Sequence, residues 1–383
     1  MTLNSLLMLK DISKILLLIL LFGTCIDLTA GVGEPLQAEH RALLFSGGDS
    51  ISRFYRIPAL ATLPSGRIVA VADRRLDSNK DLPARIDIVC RYSDDNGTTW
   101  SDARPVVLND AGGGYGDPAL GVAPNGDLVC VMTHGNGVWE SIAGDFANIY
   151  ACRSTDDGQT WSEPVNITPS LFSQTEGEAP VQSISAFATS GRILTDSKGT
   201  MWFVLVARQH DEKWSNLTDF VCKSDDGGLT WTINPVGVDT DGDEAKIVEC
   251  ADVSLLMSIR NRRKGYRKFS RSTDHGNTWT LPQPSTTLPD PACNGDILKL
   301  ADGTLLQSIN DDHEDRYRVS IFASNDSGET WRKLCEVCPV RSAYSALTLM
   351  KDGKLGVLTE EASTLGGLRL WFSRYDLDTL LKQ

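Results

Sequence analysis

Histidine is scarce in this chain, with five residues in 383, and they are scattered. A structural zinc centre needs about four ligands. The only C-x-x-C pair, Cys335-Glu336-Val337-Cys338, has no second pair to complete one. No metal site and no cofactor are therefore expected, and a loop disulfide or free thiols are expected at that pair. Basic charge is also short: 37 Lys and Arg against 50 Asp and Glu leave a net charge of −13. Phosphate would be repelled, so nucleic acid is not an expected partner. The apolar run at 15–22 falls below the roughly 20 residues that span a bilayer. After it there is no amphipathic stretch of helix length, no linker and no low-complexity tract, so no second domain is expected.

What the chain does have is repetition. Five octapeptides at 93–100, 154–161, 224–231, 272–279 and 324–331 all read S-x-D-x-G-x-T-W. Their starts are 61, 70, 48 and 52 residues apart. Recurrence at about 50 residues marks stacked supersecondary units such as propeller blades. Each octapeptide is also a turn. Its Asp accepts hydrogen bonds from the loop backbone, and its Gly takes a positive φ. The Trp is expected on the next strand, packed between blades, so the repeat is a structural staple with no direct catalytic role.

Strand signals dominate the rest. Short apolar, often β-branched runs at 67–73, 127–133, 201–207, 254–259, 304–309 and 354–359 follow polar turns, and are expected as six inner strands, one per blade. Six such strands against five repeats imply one blade shared between the termini. Segment 42–46 is expected to pair with 369–375, closing the ring and removing exposed edges. The expected fold is all-β: a six-bladed propeller of four-stranded antiparallel sheets.

Lys10 and Lys14 precede the apolar run, and Leu28-Thr29-Ala30 offers a cleavage site, so 1–30 reads as a signal peptide and 31–383 as the exported propeller domain. Cys25 faintly resembles a lipidation site, and Thr24 before it is unfavourable. Membrane attachment through Cys25 is thus the lesser expectation beside secretion or a periplasmic location. Cys90, Cys152 and Cys222 precede repeats on equivalent strands and are expected as buried apolar residues. Asn96, Asn166 and Asn216 head N-x-S/T sequons. The basic run 260–268 is expected to be a solvated hairpin with Gly265 at its tip, Arg260 excepted, and 311–315 an acidic solvated loop.

The octapeptide is similar to the Asp-box of sialidase-like propellers, and further segments extend the resemblance to the exo-α-sialidase family across nearly all of 31–383. Tyr55-Arg56-Ile57-Pro58 looks like the family's F/Y-R-I-P motif. It implies Arg56 as the first of three arginines clamping the sialic-acid carboxylate, a task suited to a fork that never deprotonates. Segment 242–249 with Arg260 resembles N-E-x-x-V-V-E…R, although Asp243 stands at the family's Asn. Glu244 then becomes the acidic partner of the nucleophile and Arg260 the second clamp. Arg316 matches the third, with Arg318 left open because residues two apart share a strand face. Ser342-Ala343-Tyr344-Ser345 resembles the S-A-Y-S segment, making Tyr344 the nucleophile. A neutral phenol avoids repulsion from the substrate's own carboxylate and needs a base, since its ordinary pKa is about 10.

Family spacing favours Asp81 as general acid, with Asp77 in reserve, Asp87 structural and Arg75 touching the sugar's C4 hydroxyl and carboxylate. The resemblance puts Asp117 near the N-acetyl and C4 groups. Trp139 is a candidate wall of the N-acetyl pocket, though a loop Trp is as often packing. The implied protein is a retaining exo-α-sialidase acting on sialylated glycans, a monomer with no obligatory protein partner. A trans-sialidase and a non-catalytic sialic-acid-binding propeller are the alternatives.

Overall fold

The computed structural model describes residues 36–48, 51–210, 215–363 and 366–383. The expected signal peptide and Cys25 lie outside them. The described chain forms six antiparallel sheets, the blades of a six-bladed propeller, beside a small two-stranded ribbon. Blade 1 runs Phe54–Thr62, Ile68–Arg75, Ile86–Ser93, Arg104–Val107, each strand pairing with the next. Blades 4 and 5 repeat this order, and blade 2 does so with the short strand Gly191–Arg192 added parallel to its first strand. Blade 3 adds short strands at its edges. Blade 6 takes Ser342–Leu349, Leu355–Ala362 and Leu368–Tyr375 from the end of the chain and His40–Ser46 from the beginning. His40–Ser46 pairs antiparallel with Leu368–Tyr375, which closes the ring as expected.

The five repeats are the turns between third and fourth strands. Ser93, Ser154, Ser224, Ser272 and Ser324 each end a third strand. Blade 6 has no such turn, because its fourth strand is supplied by the other terminus, and this is why six blades carry five repeats. In the first turn Ser93 Oγ donates to Asp95 Oδ1 at 2.8 Å. The Gly97 amide donates to Ser93 Oγ at 2.9 Å, and the Thr99 amide donates to Asp95 Oδ1 at 2.8 Å. Gly97 has φ +78, and a Cβ there would lie 2.2 Å from the Phe372 ring of blade 6. The equivalent Gly276 faces Trp202 of blade 3 at 2.6 Å. The repeat glycine is thus needed twice, for its φ and for close approach to the preceding blade.

Three expectations are corrected. The six apolar runs are the second strand of each blade, not the innermost one. They are the most apolar because neighbours cover both edges and both faces, as in Ile68–Arg75, where all but one residue is buried. The first strands surround the axis and carry polar residues. The repeat tryptophans precede the fourth strand rather than lying on it: Trp100 stands before Arg104–Val107 and packs edge-on against Phe372. Finally, 260–268 is not a solvated hairpin throughout. Arg267 is fully buried against Asp290 and the Cys293 carbonyl, and Lys268 is bonded to Asp239. All eight described cysteines are buried free thiols, Cys335 and Cys338 included.

Trp231 shows what these turns contribute. It is 2% exposed and packs at 4.9 Å, near edge-on, against Phe203. Trp231→Ala is expected to cost about 3–5 kcal/mol, the range for a large buried aromatic. Chemical denaturation would read that loss, and the surviving protein should keep near-normal KM. A changed KM at unchanged stability would place the turn at the ligand instead.

Candidate active site

Antiparallel blades sort residues between two faces. The start of a first strand and the loop between second and third strands share one end of the blade, and the repeat turns occupy the other. Every residue brought together below comes from the first end. Arg56 and Tyr344 lie on first strands, in Phe54–Thr62 and Ser342–Leu349, and Glu244 directly precedes Ala245–Glu249. Asp81, Trp139, Arg260 and Arg316 lie between second and third strands of blades 1, 2, 4 and 5. The first strands of blades 1 and 2 also bulge there. Register shifts between Arg56 and Ala59 and between Gly116 and Ala119, with Ile57 at φ 60 and Asp117 at φ 57. Each bulge precedes a proline, which has no amide to pair, and Arg56 and Asp117 line the cleft at these bulges. The result is a cleft of about 1160 Å³ whose lining includes Arg56, Asp81, Glu244, Arg260, Arg316 and Tyr344.

Tyr344 and Glu244 form its floor. The Tyr344 hydroxyl donates to Glu244 Oε2 at 2.6 Å. Arg260 Nη1 donates to Glu244 Oε2 at 2.7 Å and to the Tyr344 hydroxyl at 3.1 Å. Burial, then the Glu244 carboxylate, pushes the phenol well above its ordinary pKa, against Arg260, Arg316 and Arg56. Burial also opposes the charge on Glu244. Arg260, Lys246 and the tyrosine hydrogen bond overcome it and hold this carboxyl below its usual range. The pair therefore rests as phenol and carboxylate, with one short hydrogen bond along which a proton can pass.

Three guanidiniums surround the phenol. Arg56 and Arg316 lie over its ring at 5.2 and 5.7 Å, and Arg260 bonds its oxygen. Arg56 is held bidentate by Glu360 at 3.0 and 2.9 Å. Arg316 is anchored by the Ala292 carbonyl at 2.6 Å. Of the two arginines left open by sequence, Arg316 lines the cleft and Arg318 does not. Arg318 has φ 54 and precedes the strand Val319–Ser324, so face-sharing along a strand does not apply. It turns outward to the Asp311 carbonyl and Asp312.

Asp81 stands at the cleft mouth with its side chain 73% exposed, bonded to Arg75 Nη2 at 2.6 Å. The loop's partial desolvation opposes its charge, but Arg75 and Arg56 hold the carboxyl below the usual range. Arg75 departs from expectation. It is 1% exposed, does not line the cleft, and is spent on Asp73, Asp81 and the Asn79 carbonyl. Asp87 is buried against Arg74 and Asn109, and Asp77 pairs with Arg85 at the rim. Asp117 lines the cleft. Burial, then Asp73, Asp81 and Glu244, raises its carboxyl well above the ordinary value. Trp139 lines it too, with Arg262 over its ring at 5.8 Å, so Arg262, like Arg267 and Lys268, is a residue of the basic run that is not simply solvated.

Sequence reasoning missed Glu360, Asp73 and Lys246. Glu360 is buried at 0% exposure and accepts the Ile57 and Tyr344 amides besides Arg56. Asp73 is fully buried, and burial pushes it up to about 7 despite Arg75. All three carried one signal, an ionisable residue close to a short apolar run, which marks a group held for a specific partner.

A family model described as a BNR repeat-like domain matches residues 66–357. A sialidase of Bacteroides fragilis is 30% identical over 349 residues, 82% of this chain and 61% of that protein. A Paraclostridium sordellii sialidase is 29% identical over 336 residues, 81% of this chain and 82% of the relative. Among solved structures, a Hadza microbial sialidase superposes with a TM-score of 0.79 at 28% identity, covering 88% of this chain and 68% of that one. The chain thus spans less than two thirds of the Bacteroides relative's own length. Repeat turns, ring closure and the axial cleft agree with these likenesses, and the chain belongs to the BNR-repeat sialidase family of six-bladed propellers.

Proposed function

We propose that this protein is a retaining exo-α-sialidase, a glycoside hydrolase that releases terminal sialic acid from sialylated glycans through a covalent sialyl-tyrosine intermediate. The observation that carries the proposal is the 2.6 Å hydrogen bond from Tyr344 to the buried Glu244 amid three guanidiniums. A substrate whose anomeric carbon bears a carboxylate suits that cluster. Arg56, Arg260 and Arg316 bind the carboxylate. Tyr344 attacks the anomeric carbon as its proton passes to Glu244 Oε2. The glycosidic bond breaks, and the leaving oxygen takes a proton from Asp81. In the second half, Asp81 accepts a proton from the attacking water, the tyrosyl bond breaks, and Glu244 returns the proton to the phenolate. A phenol raised well above its ordinary pKa does not ionise beforehand, so the proton leaves only as the new bond forms.

Asp81 poses a charge problem that the substrate itself solves. In the open cleft Arg75 and Arg56 keep it ionised. A bound carboxylate neutralises the clamp and raises the Asp81 pKa, so the acid is charged with its proton when a substrate is present. Export through 1–30 would bring the enzyme to glycoprotein and glycolipid sialosides. Proton NMR of the purified protein with sialyllactose tests the whole proposal. Release of the α-anomer of free sialic acid is expected. No release, or first release of the β-anomer, rejects it, and transfer to an acceptor would indicate a trans-sialidase.

Two substitutions test the roles. Asp81→Ala should slow sialyllactose by about 10²–10⁴-fold, the contribution of general acid catalysis. A nitrophenyl sialoside, whose leaving group needs no proton, should lose far less. Equal losses on both substrates would remove Asp81 as the acid.

Tyr344→Phe deletes one oxygen, and sialyllactose turnover should fall by at least ~10³-fold if the covalent route is lost. The clamp arginines remain, so a transition-state-like inhibitor should still bind. A 3-fluoro sialyl fluoride should label the wild-type peptide containing Tyr344, as peptide mass mapping would show. Label on Asp81 or Glu244 would refute the assignment.

A further inference from the structure

Lys246 lies beneath the Glu244–Tyr344 pair with no direct ion pair among the described residues. It is 2% exposed, on Ala245–Glu249, two residues past Glu244. Its Nζ donates to Asn294 Oδ1 at 2.8 Å. Asn294 Nδ2 in turn donates to Glu244 Oε1 at 3.2 Å and to Ser190 Oγ at 3.0 Å. Room for the lysine is built in: Gly191, at φ +105, would put a Cβ 2.9 Å from Lys246 Cε. A buried ammonium without a partnering carboxylate is costly unless its charge serves something nearby. Burial lowers its pKa to about 8, so it carries that charge at neutral and acid pH.

We propose that Lys246 is a positioning residue whose charge keeps Glu244 ionised once substrate occupies the cleft. The inference rests on the proposed sialidase mechanism, in which Glu244 must be a carboxylate to accept the tyrosine's proton. Burial and the nearby Asp243 and Asp117 carboxyls favour its neutral form, while Arg260 and Lys246 favour the charged one. A substrate carboxylate on Arg260 draws down that arginine's field at Glu244. Lys246 does not line the cleft, so no ligand group neutralises it. Asn294 holds the ammonium on one side and the carboxylate on the other, and fixes their separation. The other charges facing Lys246 are Asp296, Arg267 and Arg192. Asp296 is held bidentate by Arg192, and Arg267 by Asp290, so they largely cancel in pairs.

The test is the pH dependence of kcat and kcat/KM on sialyllactose for wild type and Lys246→Met. Lys246 lowers the Glu244 pKa, so its removal raises the acid limb. The kcat limb, which reports the enzyme–substrate complex, should move up by about one pH unit, with turnover down by up to about tenfold on the acid side of both limbs and near wild type at pH 8. The kcat/KM limb should move less, because Arg260 still faces Glu244 in the free enzyme. Lys246→Gln, which keeps a donor for Asn294 without the charge, should shift the profile alike. Melting should stay at or above wild type, since an unpaired buried charge has gone. An unmoved acid limb, with rates intact or uniformly lower, overturns the inference while leaving the sialidase proposal standing. Unfolding of both variants also overturns it, because the ammonium would then serve the fold. A wild type inactive on sialyllactose rejects the sialidase proposal first.

Discussion

The site depends on one buried carboxylate. Glu360 receives the Arg56 guanidinium bidentate, the Ile57 amide and the Tyr344 amide. Those partners belong to blades 1 and 6, the first complete blade and the blade completed by both termini. Glu360 thus joins blade 6 to blade 1 while setting the distance between Arg56 and the candidate nucleophile. Its four acceptor positions are largely used, which is what permits full burial of the charge. Without it Arg56 would be a buried cation lacking its partner, and the bulge at Ile57 would lose the acceptor for its amide.

Antiparallel order then separates stability from chemistry. Repeat turns at one face bury Trp231 and Trp331 and press glycines against the preceding blade. The starts of first strands and the second-to-third loops at the other face carry every cleft residue named here.

The cleft's electrostatics follow from desolvation acting on opposite charges. Burial raises Tyr344, Asp73 and Asp117 and lowers Lys246. Nearby guanidiniums reverse that tendency at Glu244 and Asp81. The cleft thus holds a proton on the phenol and none on Glu244 and Asp81, with three guanidiniums around them. Under the proposed mechanism an incoming anion would shift Asp81 toward its protonated form.

Much of this was legible in the chain, because turn chemistry and strand alternation are local. The S-x-D-x-G-x-T-W turns fix the spacing of blades, and the surplus of strands over turns foretells closure by the termini. Arg56, Glu244, Arg260 and Tyr344 could be picked from motif resemblance, and the fold brings them within contact of one another. Other assignments needed the folded chain. Arg316 rather than Arg318 follows from one positive φ at Arg318, which breaks the alternation that sequence assumes. Arg75 is withdrawn from the cleft because Asp73, 0% exposed, claims its guanidinium. Glu360 and Lys246 draw their significance from groups 304 and 48 residues away, at Arg56 and Asn294. Sequence by itself determined the repeating unit, the ring and the residue types at its axis, since these rest on neighbours along the chain. Only the tertiary structure decided which charges are paired, which are left free and which way each proton is held, because desolvation and Coulomb forces depend on distances through space.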